Sequence, residues 1–254
     1  MKITILGTGT SSGVPVLTCK CDVCQSSNAK DKRLRVSVLI QTGGLDVVID
    51  AGPDFRQQLL KTDIEKLDAL VFTHEHKDHT AGLDDVRPFN YMMGLKYLNI
   101  YGRKSVLGQL EREFHYAFAE QAYPGAPRIK TKEITNKAFD IEGLSFIPIE
   151  VLHHKLPVFG FRVKDFTYIT DANFISEEEK AKAKGSKVLV LDALQKTPHL
   201  SHFTLEQAIE LAKEIGAEQT YFTHISHKMG LHDEVNKELP KGMALAHDGL
   251  VINL

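Results

Sequence analysis

The chain contains no tryptophan, and its three cysteines, Cys19, Cys21 and Cys24, fall within six positions of one another. An odd, tightly clustered set of thiols cannot build the disulfide framework of a secreted mini-domain. Long apolar runs are also missing. No stretch approaches the ~20 residues that a membrane-spanning helix needs, so no membrane partner is expected. The apolar run after Met1-Lys2 is too short for a secretory signal. Charge of one sign is absent as well, with 31 Lys and Arg against 33 Asp and Glu. Such a chain gains no general attraction to long polyanions, and no large nucleic acid is expected as a partner. Low-complexity linkers and short repeats are lacking. These absences leave a soluble, cytoplasmic chain of 254 residues. Residues 1–254 are read as a single domain, with 43% hydrophobic residues to supply its core.

Short β-branched runs alternate with helical ones. Strands are expected at Lys2–Leu6, Val36–Thr42, Asp46–Ile49 and Ala69–Phe72, and helices at Pro53–Lys61 and Lys104–Phe118. A second series of strands follows near Leu144–Val151, Val158–Val163, Thr167–Ile169, Lys187–Leu191 and Thr220–Phe222. The helix Thr204–Ile215 has an apolar face, Thr204 and Gln207 suit a capping box, and Gly216 suits its end. Asp50-Ala51-Gly52 is echoed by Asp171-Ala172-Asn173, and Phe72-Thr73-His74 by Phe222-Thr223-His224. If the echo is structural, two similar αβ halves pack sheet to sheet and their polar residues collect along one edge.

The densest chemistry is Thr73-His74-Glu75-His76-Lys77-Asp78-His79, with three imidazoles and the Asp78 carboxylate as ligand-type groups directly after an apolar strand. Nitrogen and oxygen donors in this mixture suit zinc, manganese or iron. The spacing is not that of the helical zinc-protease motif. A second cluster, Cys19-Lys20-Cys21-Asp22-Val23-Cys24, offers three thiolates; a tetrahedral zinc needs a fourth ligand, for which His227 is the candidate. The loop Gly7-Thr8-Gly9-Thr10-Ser11-Ser12-Gly13 is not a dinucleotide fingerprint, because the third glycine is displaced and Pro15 follows where a helix should start. It reads as a tight turn beside a cleft.

His-x-His-x-Asp-His, here His74 to His79, is the signature of the metallo-β-lactamase superfamily, and the chain resembles that superfamily along most of its length. The resemblance implies an α/β fold, the αβ/βα four-layer sandwich. It implies two divalent metal ions, zinc or manganese. His74, His76 and one of His153 and His154 would hold the first, and Asp78, His79 and His224 the second. Asp171 would bridge them, while Asp50 would orient a ligand imidazole. The stretch Leu156-Pro157-Val158-Phe159-Gly160-Phe161 favours His153, whereas the spacing in transfer-RNA-processing relatives favours His154; His153 is taken. The Gly-Thr-Gly opening, the three cysteines and the late Thr-His-Ile-Ser-His narrow the resemblance to the PhnP-type cyclic phosphodiesterases. In that family Cys19, Cys21, Cys24 and His227 would hold a structural zinc that clamps the N-terminal loop.

The activity so implied is hydrolysis of a small cyclic or nucleotide-like phosphodiester by a hydroxide shared between the metals. Asp78 would hold metal and orient the nucleophile. His202 resembles the histidine of the family's His-x-Thr element and would assist the leaving group or bind phosphate. Only 18 positions separate His153 from Asp171, which leaves no room for an RNA-gripping arm. Other readings are a thioester or lactone hydrolase, a relative of the pyrroloquinoline quinone biosynthesis protein B group, and a non-enzymic metal or redox module. A homodimer fits the resemblance, and the aromatic stretch Asp85–Arg128 reads as helical core, a cleft wall or a dimer face.

Overall fold

The computed structural model describes residues 1–119 and 123–254. Among these, one sheet has seven strands in the order Leu250–Asn253, Lys2–Gly7, Ser37–Thr42, Leu45–Ile49, Ala69–Val71, Leu98–Gly102 and Ile129–Glu133. The other runs Phe174–Ile175, Leu144–His153, Leu156–Val163, Phe166–Ile169, Val188–Asp192, Gln219–Thr223 and Met243–Leu245, with Phe139–Ile141 pairing outside the path on Leu144–His153. Each sheet passes from antiparallel neighbours to parallel ones.

Alternation along the strands assigns each side chain to a layer. Ile3, Ile5, Val38, Ile40, Val47 and Ile49 face the second sheet and meet Phe146, Phe161, Phe166 and Val190 there. Leu39, Val48 and Leu70 face outward against Phe55, Leu59, Val106 and Leu110 of the helices Phe55–Leu59 and Lys104–Glu113. Leu189, Leu191 and Phe222 pack likewise on Leu205, Ala208, Leu211 and Ile215 of the helix Leu205–Ile215. The layers are therefore helix, sheet, sheet, helix. Strands covered on both faces read as near-continuous apolar runs.

The helix Leu205–Ile215 starts at the expected capping box, Thr204 with Gln207, and ends at Gly216 in the left-handed region. The expected helix Lys104–Phe118 is broken. Phe114 (φ −109°, ψ 35°) separates Lys104–Glu113 from His115–Phe118. Within the stretch 85–128, Phe114 and Phe118 pack on the outer core, whereas Tyr91, Met92 and Tyr116 are exposed. Residues 120–122 of that stretch lie outside the described residues. No helix among the described residues is long and apolar enough to cross a membrane.

The sequence echo is half structural. Asp50 and Asp171 both follow the third strand of their sheet's common pattern, and both are left-handed (φ 64° and 53°). His74 follows the fourth strand, but His224 follows the fifth. The fourth strand of the second sheet ends instead at Asp192.

Two glycines let the site loops close. A Cβ on Gly52 would lie 1.9 Å from the Asp78 carbonyl oxygen, and one on Gly82 would lie 2.1 Å from the Gly52 carbonyl oxygen. The segments are further tied by Ala51 N–H donating to the His79 carbonyl (2.8 Å) and Gly82 N–H to the Ala51 carbonyl (2.8 Å). Gly52→Ala must push backbone from backbone. We expect it to cost about 1–3 kcal/mol, a fall in Tm of roughly 2–10 °C by calorimetry; an unchanged Tm would show that the loops approach less closely.

Candidate active site

The parallel strands end at one edge of the sandwich, where the loops beyond them carry Asp50, His74 to His79, Asp171 and His224 and one strand ends on Asp192. Asp50, Asp171 and His224 all have φ between 53° and 64°. Asp and His tolerate that region better than branched residues do, and strain of this kind gathers at functional sites.

Asp50 is buried, and its carboxylate accepts from Thr73 N–H (2.9 Å) and Thr73 Oγ1 (2.8 Å) and contacts His79 Nδ1 (2.6 Å). Thr73 Oγ1 lies 3.0 Å from His74 Nδ1. His76 precedes the short helix Lys77–Thr80, on which Asp78 and His79 sit side by side. The His74 and His76 rings are 4.5 Å apart, and His153 lies 5.7 Å and 5.2 Å from them.

His153 is the last residue of its strand, and the hairpin turns on His154 and Lys155 with His154 at φ 57°. That turn points His153 into the cluster, with its Nδ1 2.9 Å from the Ser201 carbonyl, and leaves His154 exposed. The structure thus brings His153 to the cluster, and His154 faces away from it.

Around Asp171 the donors converge. Its Oδ2 lies 3.2 Å from His79 Nε2 and its Oδ1 3.2 Å from His224 Nε2. Asp78 Oδ2 lies 3.3 Å from His79 Nε2 and 3.9 Å from His224 Nε2. Yet Nε2 of His74, His79 and His224 are buried without a hydrogen-bond partner among the described residues. Donor atoms this close, without hydrogen-bond geometry between them, fit neighbouring ligands of one cation. Bonds of about 2.0–2.2 Å would put adjacent donors roughly 3.0–3.5 Å apart. The donor set therefore fits divalent metal.

Electrostatics point the same way. Burial pushes Asp171 up, but His224 and His79 outweigh it and hold the carboxyl well below its usual range. Burial pushes His79 down, but Asp171, Asp50 and Asp78 hold it well above the usual imidazole range. Burial, reinforced by His79, holds His74 well below that range. The cluster demands positive charge at its centre.

His202 is buried beside the cluster, its ring 4.6 Å from those of both His153 and His224. Its Nδ1 lies 3.2 Å from Asp192 Oδ1. Asp192 was not among the residues read from the sequence. Its signal was there: Asp192-Ala193 is a third Asp-Ala after a buried strand, like Asp50-Ala51 and Asp171-Ala172.

Apart from this cleft, Cys19, Cys21 and Cys24 Sγ lie 3.2, 3.4 and 3.6 Å from His227 Nδ1. Tetrahedral zinc, with bonds of about 2.3 Å to sulfur and 2.0–2.1 Å to nitrogen, would separate such atoms by roughly 3.6 Å. The backbone N–H of Cys24, with His227, lowers the Cys21 thiol to about 6, while burial pushes Cys24 up to about 11. The four donors join the loop after Gly13 to the segment after His224.

The family model described as a beta-lactamase superfamily domain matches residues 46–225. A crystal structure of a diphosphatase from the PhnP family superposes with a TM-score of 0.93 at 40% identity, over 99% of this chain and 96% of that one. The zinc-bound PqqB of Methylobacterium extorquens superposes with a TM-score of 0.79 at 21% identity over the whole of both chains, a likeness of fold. An octanoyltransferase of Porphyromonas gingivalis is 38% identical over 98% of this chain, which spans about half (51%) of that protein.

Two separate sites should empty separately. We expect Cys19→Ser to lose one equivalent of zinc and lower Tm while manganese still binds the histidine cluster. His76→Ala should lose cluster metal and keep the zinc. Plasma mass spectrometry of the dialysed variants checks both, and loss of every metal from either variant would contradict this division.

Proposed function

The chain belongs to the beta-lactamase superfamily and, within it, to the PhnP family, and from that premise we propose that it is a metal-dependent phosphodiesterase acting on a small phosphate ester. The observation that carries this reading is the convergence of His79 and His224 on the two oxygens of Asp171, with His202 held on Asp192 alongside. His74, His76 and His153 would hold one metal and Asp78, His79 and His224 the other, with Asp171 between them. Cys19, Cys21, Cys24 and His227 would hold a structural zinc.

When bound, the ions supply positive charge for the phosphoryl oxygens and make water a nucleophile near neutral pH. The chain supplies orientation and a proton. Asp50, the Ser201 carbonyl and Thr73 Oγ1 each engage the Nδ1 side of one imidazole, which frees its Nε2 for metal. Burial opposes charge on His202, but Asp192 outweighs it and raises its pKa. Asp192 would therefore favour the protonated form of His202. His202 would give its proton to the leaving oxygen as water's oxygen bonds to phosphorus and the ester P–O bond breaks; the attacking water would lose one proton to solvent, and solvent would return one to His202.

The described segment between His154 and Asp171 consists of Leu156–Val163, Phe166–Ile169 and their short turns. It carries no arm for a long polymer, which favours a small substrate. The PhnP-family neighbour is a diphosphatase, so diphosphate esters belong in the same test. A second reading, thioester hydrolysis, draws on the relative described as an octanoyltransferase. That name belongs to a protein about twice as long.

Metal-stripped protein is given zinc or manganese and offered an aryl phosphodiester, an alkyl phosphodiester, a diphosphate ester, an octanoyl thioester and a lactone. We expect metal-restored turnover of a phosphate ester. His202→Ala should cut kcat on the alkyl ester by about 10²–10⁴-fold and the nitrophenyl ester far less, because nitrophenolate leaves without an acid. Turnover confined to the thioester or lactone would overturn the phosphodiesterase reading.

A further inference from the structure

Asp192 is fully buried at the end of the strand Val188–Asp192. Its Oδ2 accepts from Phe203 N–H at 3.2 Å. Its Oδ1 faces two imidazoles at once, His202 Nδ1 at 3.2 Å and His224 Nδ1 at 3.6 Å. The two rings stack 4.6 Å apart at 15°. His224 Nδ1 is buried without a hydrogen-bond partner among the described residues. Three other rings of the cluster have neighbours on that side: His79 has Asp50, His153 the Ser201 carbonyl, and His74 Thr73 Oγ1. For His224 the acceptor in place is Asp192, and His202 stands nearer to the same oxygen.

We propose that Asp192 is a positioning residue shared by His224 and His202, one carboxylate oxygen that fixes the tautomer of His224, holds the Nδ1–H of protonated His202 and so couples the second metal position to the proton donor. This rests on the reading of His224 as a metal ligand. A neutral imidazole carries one proton. Held on Nδ1 by a carboxylate, that proton leaves the Nε2 lone pair of His224 facing Asp171 and metal. His202, which as the proton donor carries hydrogen on both ring nitrogens, is held through Nδ1–H and presents Nε2–H to the cleft. When metal binds His224, its Nδ1–H becomes a stronger donor and draws on the oxygen that His202 also uses.

Asp192→Asn tests this at constant shape. With the amide oxygen on Phe203 N–H, the NH₂ group faces both Nδ1 atoms and demands that each ring carry its proton on Nε2. That tautomer closes His224 to metal. Turned the other way, the NH₂ group meets Phe203 N–H, donor against donor. The probe is Mn²⁺, a hard ion that avoids the thiolate site, titrated into protein that keeps one zinc at the thiolate site and has been stripped of cluster metal, and read by electron paramagnetic resonance without substrate. We expect the second equivalent to bind Asp192→Asn about 10–100-fold more weakly, and the first within about twofold. His202→Phe keeps a ring in place and leaves Oδ1 to His224, so its second equivalent should bind as tightly as in the wild type or more tightly.

Wild-type affinity for both equivalents in Asp192→Asn would overturn the proposal. So would equal weakening of both, or a loss in His202→Phe as large as that in Asp192→Asn. A wild-type chain that binds two Mn²⁺ but hydrolyses no phosphate ester would overturn the proposed function and leave the role of Asp192 standing. A wild-type chain that takes up no second equivalent would overturn both.

Discussion

One carboxylate with no exposure to water, Asp50, holds the histidine cluster in shape. It binds Thr73 through two hydrogen bonds and His79 through a third contact, and Thr73 in turn touches His74. A buried carboxylate without partners would carry a desolvation penalty of several kcal/mol. The loops that meet at Asp50 are therefore constrained to supply those partners. Burial still pushes the carboxyl up, with His79 as the leading opposing influence. The consequence is local and chemical: with Nδ1 of His79 on Asp50, its Nε2 faces Asp171 across the seam between the sheets.

That seam explains why donors far apart in sequence meet. Parallel strands deliver their chain ends to one edge, where open α/β folds place their ligands. The first sheet contributes Asp50 and His74 to His79, the second His153, Asp171, Asp192 and His224. The sheets share a core of Ile, Val and Phe, so rigid packing fixes the separation between the two donor sets. Close backbone contact at Gly52 and Gly82 then seats Asp78 and His79 against the Asp50 loop.

Much of this was legible in the sequence, for physical reasons. The cluster from His74 to His79 packs its chemistry into six residues after an apolar strand, and buried two-faced strands announce themselves as apolar runs. Other features were hidden. Ile129–Glu133 carries Lys130, Lys132 and Glu133, so this edge strand looks like solvated loop. The break at Phe114 is invisible because its neighbours all suit helix. His153 and His154 are chemically alike, and only the two-residue hairpin turn separates inward from outward. Asp192 was missed because it stands alone, with no histidine beside it in sequence; its meaning comes from the rings that folding brings to it.

We infer that this edge is built for a pair of divalent cations that share Asp171. Anomalous diffraction from crystals grown with manganese, collected at the manganese edge, tests it most directly. Two peaks roughly 3.5–4 Å apart are expected, one among His74, His76 and His153 and one among Asp78, His79 and His224, with Asp171 reaching both. A single peak, or manganese density only away from Asp171, would contradict it.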